Sequence, residues 1–190
     1  MREAHRVRAG AAQGAAETGA QSASNPTLAP TRTPAENKML QIREDDLSSE
    51  DTRALLALHL SGMHSSSPPG HVYALDLSGL QSPQVTLWSA RLDGALAGIA
   101  ALKELGGGGG EIKSMRTHPD HLRKGVAASL LDHIISQARV RGLKRLSLET
   151  GNGPPFEPAL AFYRKRGFVE GEPFGDYHPS AFNQFLHLNL

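Results

Sequence analysis

The 190-residue chain contains no cysteine, which excludes a disulfide framework and any metal site built on thiolates. It also has no apolar run near the ~20 residues that an α-helix needs to cross a bilayer. Neither sign of charge dominates, since 20 basic residues face 19 acidic ones and the formal net charge is +1. That balance argues against a nucleic-acid-binding surface. We therefore expect a soluble, cytoplasmic protein with one ordinary folded domain.

Large aliphatic side chains are almost missing from the first 38 residues, where Val7 and Leu28 stand among Ala, Gly, Ser, Thr, Pro and Arg. Such a segment buries too little apolar surface to offset the entropy that is lost on ordering. The sequence predicts a disordered extension over 1–38 and a folded domain over 39–190. We interpret the extension as a linker or as the product of an upstream translation start. An organelle transit peptide is a weaker alternative, because no amphipathic helix is evident there.

What the chain does contain, near its middle, is a strand, a loop and a helix in immediate succession. The strand-like run 111–117 ends at His118-Pro119-Asp120, because proline lacks the hydrogen-bond donor of the ladder and restricts the residue before it. Apolar residues then recur at helical spacing at Val126, Leu130 and Ile134. This periodicity predicts an amphipathic helix over 123–141.

The first turn of this predicted helix is chemically distinctive. The run Arg123-Lys124-Gly125-Val126-Ala127 combines two cations with small residues. The first turn also leaves backbone N–H groups without helical acceptors, at the positive end of the helix dipole. Such a helix start can bind an anion, and a phosphate is the expected ligand. A glycine in the first turn of a basic helix is equally compatible with packing and solubility alone, so the motif by itself leaves both interpretations open.

Strands and helices alternate along the rest of the domain. Strands are predicted at 40–43, 85–91, 95–103, 144–150, 168–170 and 183–190, and helices at 49–63, 71–80 and 156–166. We expect Asp46 or Ser48 to cap the first helix. The order of elements predicts an α/β sandwich with a mixed sheet, in which 111–117 and 144–150 form a parallel pair.

Two turns between these strands have clear signals. Asp93-Gly94 lies between two strand-like runs and predicts a tight hairpin. The five consecutive glycines from Gly106 to Gly110 predict a tolerant hairpin connection, with a flexible lid as the alternative. No helix starts after these glycines, so they are not expected to hold a phosphate.

The central strand, the Pro-Asp loop and Arg123–Ala127 are followed by Ser147-Leu148-Glu149-Thr150 and by the run FYRKRGF at 162–168. This succession resembles the GNAT superfamily of acetyl-CoA-dependent N-acetyltransferases, in particular bacterial small-molecule acetyltransferases. The resemblance extends from about residue 40 to the C-terminus. It implies a GNAT-like mixed, mostly antiparallel sheet of about seven strands, a central parallel pair that splays apart, and about four flanking helices.

The resemblance implies acetyl-CoA as the cosubstrate and no metal. The family's Q/R-x-x-G-x-G/A helix start, which binds the pyrophosphate of coenzyme A, corresponds to 122–127, with Leu122 in place of the polar first residue. Backbone groups at Met115 and Thr117 would hold the pantetheine arm, and an N–H close to Met115 would polarise the acetyl carbonyl. Phe156 stands where the family often has an asparagine, and Asn152 is the candidate to compensate. The expected cofactor-binding residues are Met115, Arg116, Thr117, Arg123, Lys124, Gly125, Val126, Ala127, Asn152, Phe156 and Tyr163.

Direct transfer to an amine requires a proton acceptor, because an amine with a lysine-like pKa of about 10.4 is protonated at pH 7. Glu111, at the head of the central strand, is the first candidate, since certain family members have a catalytic glutamate there. Glu149, at the end of the adjoining strand, is the alternative base or a group that orients the amine. Tyr163 matches the tyrosine of the family's A-x-x-x-Y-x-x-x-G-F motif and is the expected general acid for the departing thiolate. A packing role on its helix is the alternative for Tyr163.

By the same resemblance, the acceptor pocket is expected between the first two helices, the loop that joins them and the last strands. Candidate substrate residues are His64, His71, Trp88, Arg116 and Glu149, with Asp176, Tyr177 and His178 at the other end of the pocket. Arg116 can pair with a carboxylate through two N–H groups, which favours a small polar acceptor such as an amino acid. Each histidine taken alone is more often structural or solvated. His64, His71 and His178 have no histidine or carboxylate at i, i+3 or i, i+4, which argues against a zinc site.

The main hypothesis is an N-acetyltransferase that moves an acetyl group from acetyl-CoA directly to a primary amine. The absence of cysteine excludes a cysteine-linked acyl intermediate. One alternative is a non-catalytic module of the same fold that binds acyl-CoA, and another is a protein lysine or N-terminal acetyltransferase. The expected partner is a small-molecule amine, with neither nucleic acid nor membrane. A homodimer is a further hypothesis.

Overall fold

The computed structural model describes residues 39–190, so the extension predicted over 1–38 lies outside the described residues. Residues 39–190 form seven strands and four α-helices. The strands are β1 (Leu40–Glu44), β2 (Val85–Leu92), β3 (Ala95–Gly106), β4 (Gly109–Thr117), β5 (Arg145–Gly151), β6 (Val169–Glu170) and β7 (Asn183–Asn189). The helices are α1 (Glu50–Ser66), α2 (Leu77–Leu80), α3 (Val126–Val140) and α4 (Glu157–Lys165), and a short 3₁₀ helix covers Pro119–His121. None of the described helices has the length and hydrophobicity that a membrane span requires.

The seven strands form one sheet in the order β1-β2-β3-β4-β5-β7-β6. All neighbours are antiparallel except β4 and β5, which are parallel. This arrangement confirms the predicted fold class. The parallel ladder covers only Gly109–Glu111 of β4 and Arg145–Ser147 of β5, although both strands continue beyond it. The two strands therefore diverge, and a gap opens in the middle of the sheet.

Helices cover both faces of the sheet. α3 and α4 pack on one face through a cluster that includes Leu130, Ile134 and Leu160, and α1 and α2 pack on the other through Leu55, Leu56 and Leu80. Strand alternation decides which side chains join each layer. In β5, Leu146 and Leu148 belong to the α3–α4 layer, so Ser147 and Glu149 face the α1 side.

A β-bulge interrupts β4 beside the gap. Between two of its pairs with β3, β4 has one residue more than its partner, and Ser114 there has a φ of 49°. A bulge reverses the alternation of side chains along the strand. Lys113 and Arg116, three residues apart, consequently lie close to the same residue of α1, His59. Met115 packs instead against the α3–α4 layer.

The predicted helix over 123–141 begins three residues later than expected, at Val126. Arg123 has a φ of 60° and Gly125 a φ of 82°, and these left-handed conformations cannot belong to a right-handed helix. The residues 123–125 are thus a loop that leads into α3. The glycine run forms the predicted β3–β4 connection, in which Gly107 and Gly108 make the turn and Gly109 and Gly110 already belong to β4.

Two other predictions about helix ends were wrong. The helix expected over 71–80 is limited to Leu77–Leu80, because the carboxylate of Asp76 accepts a hydrogen bond from the N–H of Gly79 at 2.8 Å and fixes the start there. The residue before α1 is Ser49. The side chain of Asp46, one of the two predicted caps, instead accepts from the N–H of Ser48 ahead of the helix.

Helix α3 packs tightly against Gly98 of β3, which generates a prediction. A Cβ added at Gly98 would lie 2.9 Å from a methyl group of Val126 and 3.0 Å from the carbonyl oxygen of Arg116. We expect Gly98→Ala to lower the free energy of unfolding by about 1–3 kcal/mol, because an overpacked site must shift its neighbours. Urea unfolding measures this difference.

Gly62→Ala in α1 is the matched control for that experiment. A Cβ there has only the guanidinium of Arg116 nearby, at 3.9 Å, and alanine favours a helix over glycine by about 0.5–1 kcal/mol. This variant should be as stable as the wild type or more so. Equal losses of stability in both variants would contradict the packing argument.

Candidate active site

A cavity of about 240 Å³ lies where β4 and β5 diverge. Its walls include side chains from both layers of the protein. Met115, Phe156, Ala159 and Tyr163 come from the α3–α4 side, and His59, Met63, Arg116 and Glu149 come from the α1 side. The loop that follows α1 contributes Ser67, His71 and Tyr73, and Phe182 comes from the segment before β7. The gap in the sheet thus joins two surfaces that a continuous sheet would separate.

Tyr163 reaches the cavity from α4. It lies one turn after the buried Leu160, and its hydroxyl group is 3.1 Å from the sulfur of Met115 on β4. Burial raises the pKa of Tyr163 above its ordinary value, because the charged phenolate is disfavoured away from water. The side chain therefore presents a neutral hydroxyl group that can donate a hydrogen bond at the point where the strands separate.

Glu149 reaches the cavity from β5. Its Oε1 is buried and has no hydrogen-bond partner among the described residues. Burial raises the pKa of this carboxyl group to about 7, Lys113 opposes the rise, and Glu111 adds to it. A carboxyl group with such a pKa can take up and release a proton near neutral pH.

Glu111, the first candidate for the base, does not line the cavity. Only 2% of the residue is exposed, and its Oε1 accepts a hydrogen bond from the hydroxyl group of Tyr177 at 2.5 Å. The same oxygen lies 3.1 Å from the ammonium nitrogen of Lys113. Glu111 and Lys113 are two residues apart on β4 and therefore share one face of the strand. These contacts favour Glu149 over Glu111 as the group that meets an acceptor.

Arg116 supplies positive charge to the α1 side of the cavity. Its Nε is buried and has no hydrogen-bond partner among residues 39–190, and within the same range it forms no ion pair. The neighbouring His59 is buried, and burial, then Arg116 and Lys113, lower its pKa to about 4. His59 is therefore neutral at pH 7, and the cationic guanidinium of Arg116 is suited to an anionic group.

The start of α3 has the features of an anion site. The first helical hydrogen bond runs from the N–H of Ser129 to the carbonyl of Gly125, so the N–H groups of Val126 and Ala127 have no helical acceptor. A Cβ added at Gly125 would meet no atom within 4 Å, so the space in front of the helix is open. Arg123 and Lys124 are exposed beside it. Together these groups can hold a phosphate.

Other predicted site residues also lie outside the cavity wall. Trp88 is 2% exposed and packs in the α3–α4 layer against the ring of His133 at 5.3 Å. It faces that layer because its neighbour Leu87 faces α1 and side chains alternate along a strand. His64 belongs to the last turn of α1 but is not part of the wall. The side chain of Asn152 donates to the carbonyl of Ala181 at 2.6 Å, and this bond occupies the amide that was expected to compensate for Phe156.

The remaining predicted residues divide between the wall and its surroundings. His71 and Phe156 line the cavity. Thr117 ends β4 opposite Gly98 of β3. Asp176 and His178 lie outside the wall, and the described residues contain no group of three or more His, Asp or Glu that could hold a metal ion.

Two residues near the cavity had escaped the sequence reasoning. His59 occupies the apolar stripe of α1, four residues after Leu55 and four before Met63, where a polar residue is itself a signal. Lys113 is a charge in the middle of an otherwise buried strand. Both signals are present in the sequence, and each marks a polar side chain that needs a partner in the interior.

Comparison with known proteins agrees with this geometry. Residues 45–168 match the Acetyltransferase (GNAT) family. The uncharacterized N-acetyltransferase YsnE of Bacillus subtilis is 50% identical over 151 residues, which cover 80% of this chain and 100% of that protein. The uncharacterized N-acetyltransferase YedL of Escherichia coli is 47% identical over 152 residues, which cover 80% of this chain and 96% of that protein. A putative acyl-CoA N-acyltransferase structure from Klebsiella pneumoniae has a TM-score of 0.68 at 27% identity and covers 80% of this chain and 98% of its own.

The chain therefore belongs to the GNAT acetyltransferase family and is an acetyl-CoA-dependent N-acyltransferase. The resemblance identified in the sequence is confirmed.

The pKa of Glu149 generates a prediction about stability. In the folded protein Glu149 keeps its proton up to about pH 7, whereas its ordinary pKa is 4.5. Between these values the folded state binds more protons than the unfolded state, so stability falls as the pH rises from 4.5 to 7. Glu149→Gln removes this loss. After a discount for its partial exposure, we expect the variant to gain about 1–2 kcal/mol over the wild type at pH 8.

Urea unfolding at pH 8 and at pH 4.5 measures the effect, which should vanish at the lower pH. Glu157→Gln, at an exposed position in the first turn of α4, is the control and should show the same difference from the wild type at both pH values. A gain for Glu149→Gln that does not depend on pH would show that the carboxyl group is not perturbed.

Proposed function

We propose that this enzyme transfers an acetyl group from acetyl-CoA directly to the primary amine of a small polar molecule such as an amino acid. The observation that carries the proposal is the convergence of Glu149, Tyr163 and Arg116 on one cavity. A proton acceptor, a hydrogen-bond donor and a fixed cation then surround the gap between β4 and β5. Each has a distinct task in amine acetylation.

The described residues fit coenzyme A. The open helix start at Gly125, with Arg123 and Lys124 beside it, would hold the phosphates. Beyond Glu111 the ladder between β4 and β5 has ended, so backbone groups on that edge of β4 can pair with an extended ligand as an added strand would. Met115, Phe156 and Ala159 line the neighbouring wall and would contact the arm. When it is bound, acetyl-CoA supplies the acetyl group as a thioester.

Glu149 would act as the general base. An acceptor amine arrives protonated at neutral pH and must lose a proton before it can attack. Glu149 has a pKa of about 7, which is close to the value that makes a base effective at that pH. Its unpartnered Oε1 is available to the ammonium group.

Tyr163 would stabilise the departing thiolate. Its raised pKa makes the phenol a weak acid, so we expect its hydroxyl group to act mainly as a hydrogen-bond donor to the sulfur. The bond to the sulfur of Met115 shows that this hydroxyl group can reach a sulfur atom at the β4 side of the gap. A thiolate is a stronger acceptor than a thioether, because it carries a full negative charge.

Arg116 would bind a carboxylate on the acceptor. The guanidinium has no carboxylate partner within the described part of the chain, and His59 next to it is neutral. An amino acid presents an amine and a carboxylate a few bonds apart, which suits the Glu149 and Arg116 sides of one cavity. His71, Tyr73 and Phe182 enclose the same space, which favours a small acceptor over a protein side chain.

The proposal is tested by incubation of the full chain with acetyl-CoA and a panel of amino acids, polyamines, aminoglycosides and lysine peptides, with thiol release as the readout. We expect release with amino acids. Glu149→Gln and Tyr163→Phe should each lower kcat by about a hundredfold or more, because a general base and a hydrogen-bond donor to developing charge each contribute about that much. Glu157→Gln, at an exposed position in the first turn of α4, is the control. Tight acetyl-CoA binding without release with any amine would instead indicate a non-catalytic acyl-CoA-binding module.

The role of Arg116 generates a separate prediction. Arg116→Met should raise the KM for an amino acid by about tenfold to a hundredfold, since a hydrogen bond to a charged group contributes about 1.5–3 kcal/mol. The KM for the corresponding amine without a carboxylate should change little. Arg139→Met, at an exposed position on α3, is the control for the loss of a positive charge. Equal effects on both acceptors would show that Arg116 does not bind the carboxylate.

A further inference from the structure

The ammonium group of Lys113 lies inside the protein, on the face of β4 that carries the acceptor side of the cavity. Only 9% of its side chain is exposed. The nitrogen lies 2.7 Å from the carbonyl oxygen of Tyr73, 2.7 Å from the hydroxyl oxygen of Tyr177 and 3.1 Å from Oε1 of Glu111. The ammonium group donates hydrogen bonds to Tyr73 and Tyr177 and forms an ion pair with Glu111. Lys113 contributes to the cavity wall, but its charge is paired within the protein.

The three side chains form a closed network. The hydroxyl group of Tyr177 accepts from Lys113 and donates to Oε1 of Glu111 at 2.5 Å. Glu111 is itself 2% exposed, so both charges of the pair are away from water. Removal of Lys113 or Glu111 would leave the other as an unpaired buried charge, which is unfavourable. Lys113, Glu111 and Tyr177 therefore act as a unit.

This network joins two loops to the sheet. Tyr73 belongs to the segment between α1 and α2, and Tyr177 belongs to the segment between β6 and β7. The rings of these tyrosines are 5.0 Å apart, and the rings of His71 and Phe182 on the same two segments are 5.7 Å apart. Both segments supply walls of the cavity. Lys113 is the residue at which both are attached to β4.

The charges of the network also face Glu149. Glu111 pairs with Ser147 across the parallel ladder, and Glu149 follows two residues later on the same face of β5. Lys113 favours the ionised form of Glu149, and Glu111 disfavours it. Other titratable groups also surround the cavity. Arg116 comes from β4, His59 from α1 and Tyr163 from α4, and the loops supply His71, Tyr73 and Tyr177. On β7, His187 is hydrogen-bonded to Ser147.

We propose that Lys113 is a positioning residue for acetyl transfer. It attaches the loops 67–76 and 171–182 to β4 and, with Glu111, sets the electrostatic environment of Glu149. This inference rests on the proposed role of Glu149 as the base. It gives Lys113 and Glu111 a role that requires neither residue to contact the acceptor.

The first test measures the titration of the Glu149 carboxyl group by ¹³C NMR in the full chain, with Glu149→Gln to identify the signal. Lys113→Met should raise the pKa of Glu149 by about one unit, and Glu111→Gln should lower it by about one unit, as expected when a neighbouring charge is removed. The double variant should lie between them. Lys144→Met removes an exposed lysine and should leave the titration unchanged.

The second test concerns the loops. Tyr177→Phe keeps the ring but removes the hydroxyl group that joins Lys113 to Glu111. We expect faster hydrogen–deuterium exchange over 67–76 and 171–182 and a rise of about tenfold in the acceptor KM, in line with the loss of hydrogen bonds to charged groups. The KM for acetyl-CoA should change less than the acceptor KM, because the groups at the start of α3 that would hold its phosphates make none of the contacts of this network.

The outcomes separate a positioning role from a merely structural one. Shifts of the Glu149 pKa in the same direction in Lys113→Met and Glu111→Gln, or no shift in either, would overturn the proposal. Should Lys113→Met not fold, Glu111→Gln still decides, because glutamine keeps an oxygen that can accept the hydrogen bond from Tyr177. A wild-type chain that acetylates no amine would overturn the proposed function, whereas the titration needs no turnover and would still decide whether the pair sets the charge at Glu149.

Discussion

The short parallel ladder between β4 and β5 is the constraint on which the rest of the structure depends. It joins the strands at three positions only, and each strand then remains in the sheet through its other neighbour, β3 or β7. The sheet therefore stays continuous at its edges while its centre is open. Side chains from both layers meet in that opening, and the proposed transfer uses it to bring acetyl-CoA and the acceptor to one point.

Burial acts on the two sides of this opening in a consistent way. It raises the pKa of Glu149 and lowers that of His59, and both shifts favour the neutral form because charge is disfavoured away from water. Arg116 adds a positive charge on the same side, since guanidinium is not deprotonated in proteins. The α1 side of the cavity thus combines this cation and the buried Lys113 with two groups, Glu149 and His59, that burial shifts toward the neutral form.

Much of the fold could be predicted because local patterns decide it. The helical spacing of α3 and the alternation in β5 depend on residues close in sequence, and the parallel pair follows from the order of elements. The start of α3 could not be predicted, since the left-handed conformation of Arg123 has no signal in its residue type. The choice between Glu111 and Glu149 depends on Tyr177, which is 66 residues from Glu111. Contacts at that separation become visible only in the folded chain.

The bulge at Ser114 determines which side chains of β4 face α1. Lys113 and Arg116 are three residues apart and still share that face, because the bulge accommodates one extra residue between them. A strand of the same sequence with regular alternation would turn Arg116 toward the apolar α3–α4 layer and Met115 toward α1. Loss of the extra residue alone would shorten the strand and leave both faces as they are. β4 therefore tolerates a shortening at Ser114 more readily than a straightening that keeps every residue.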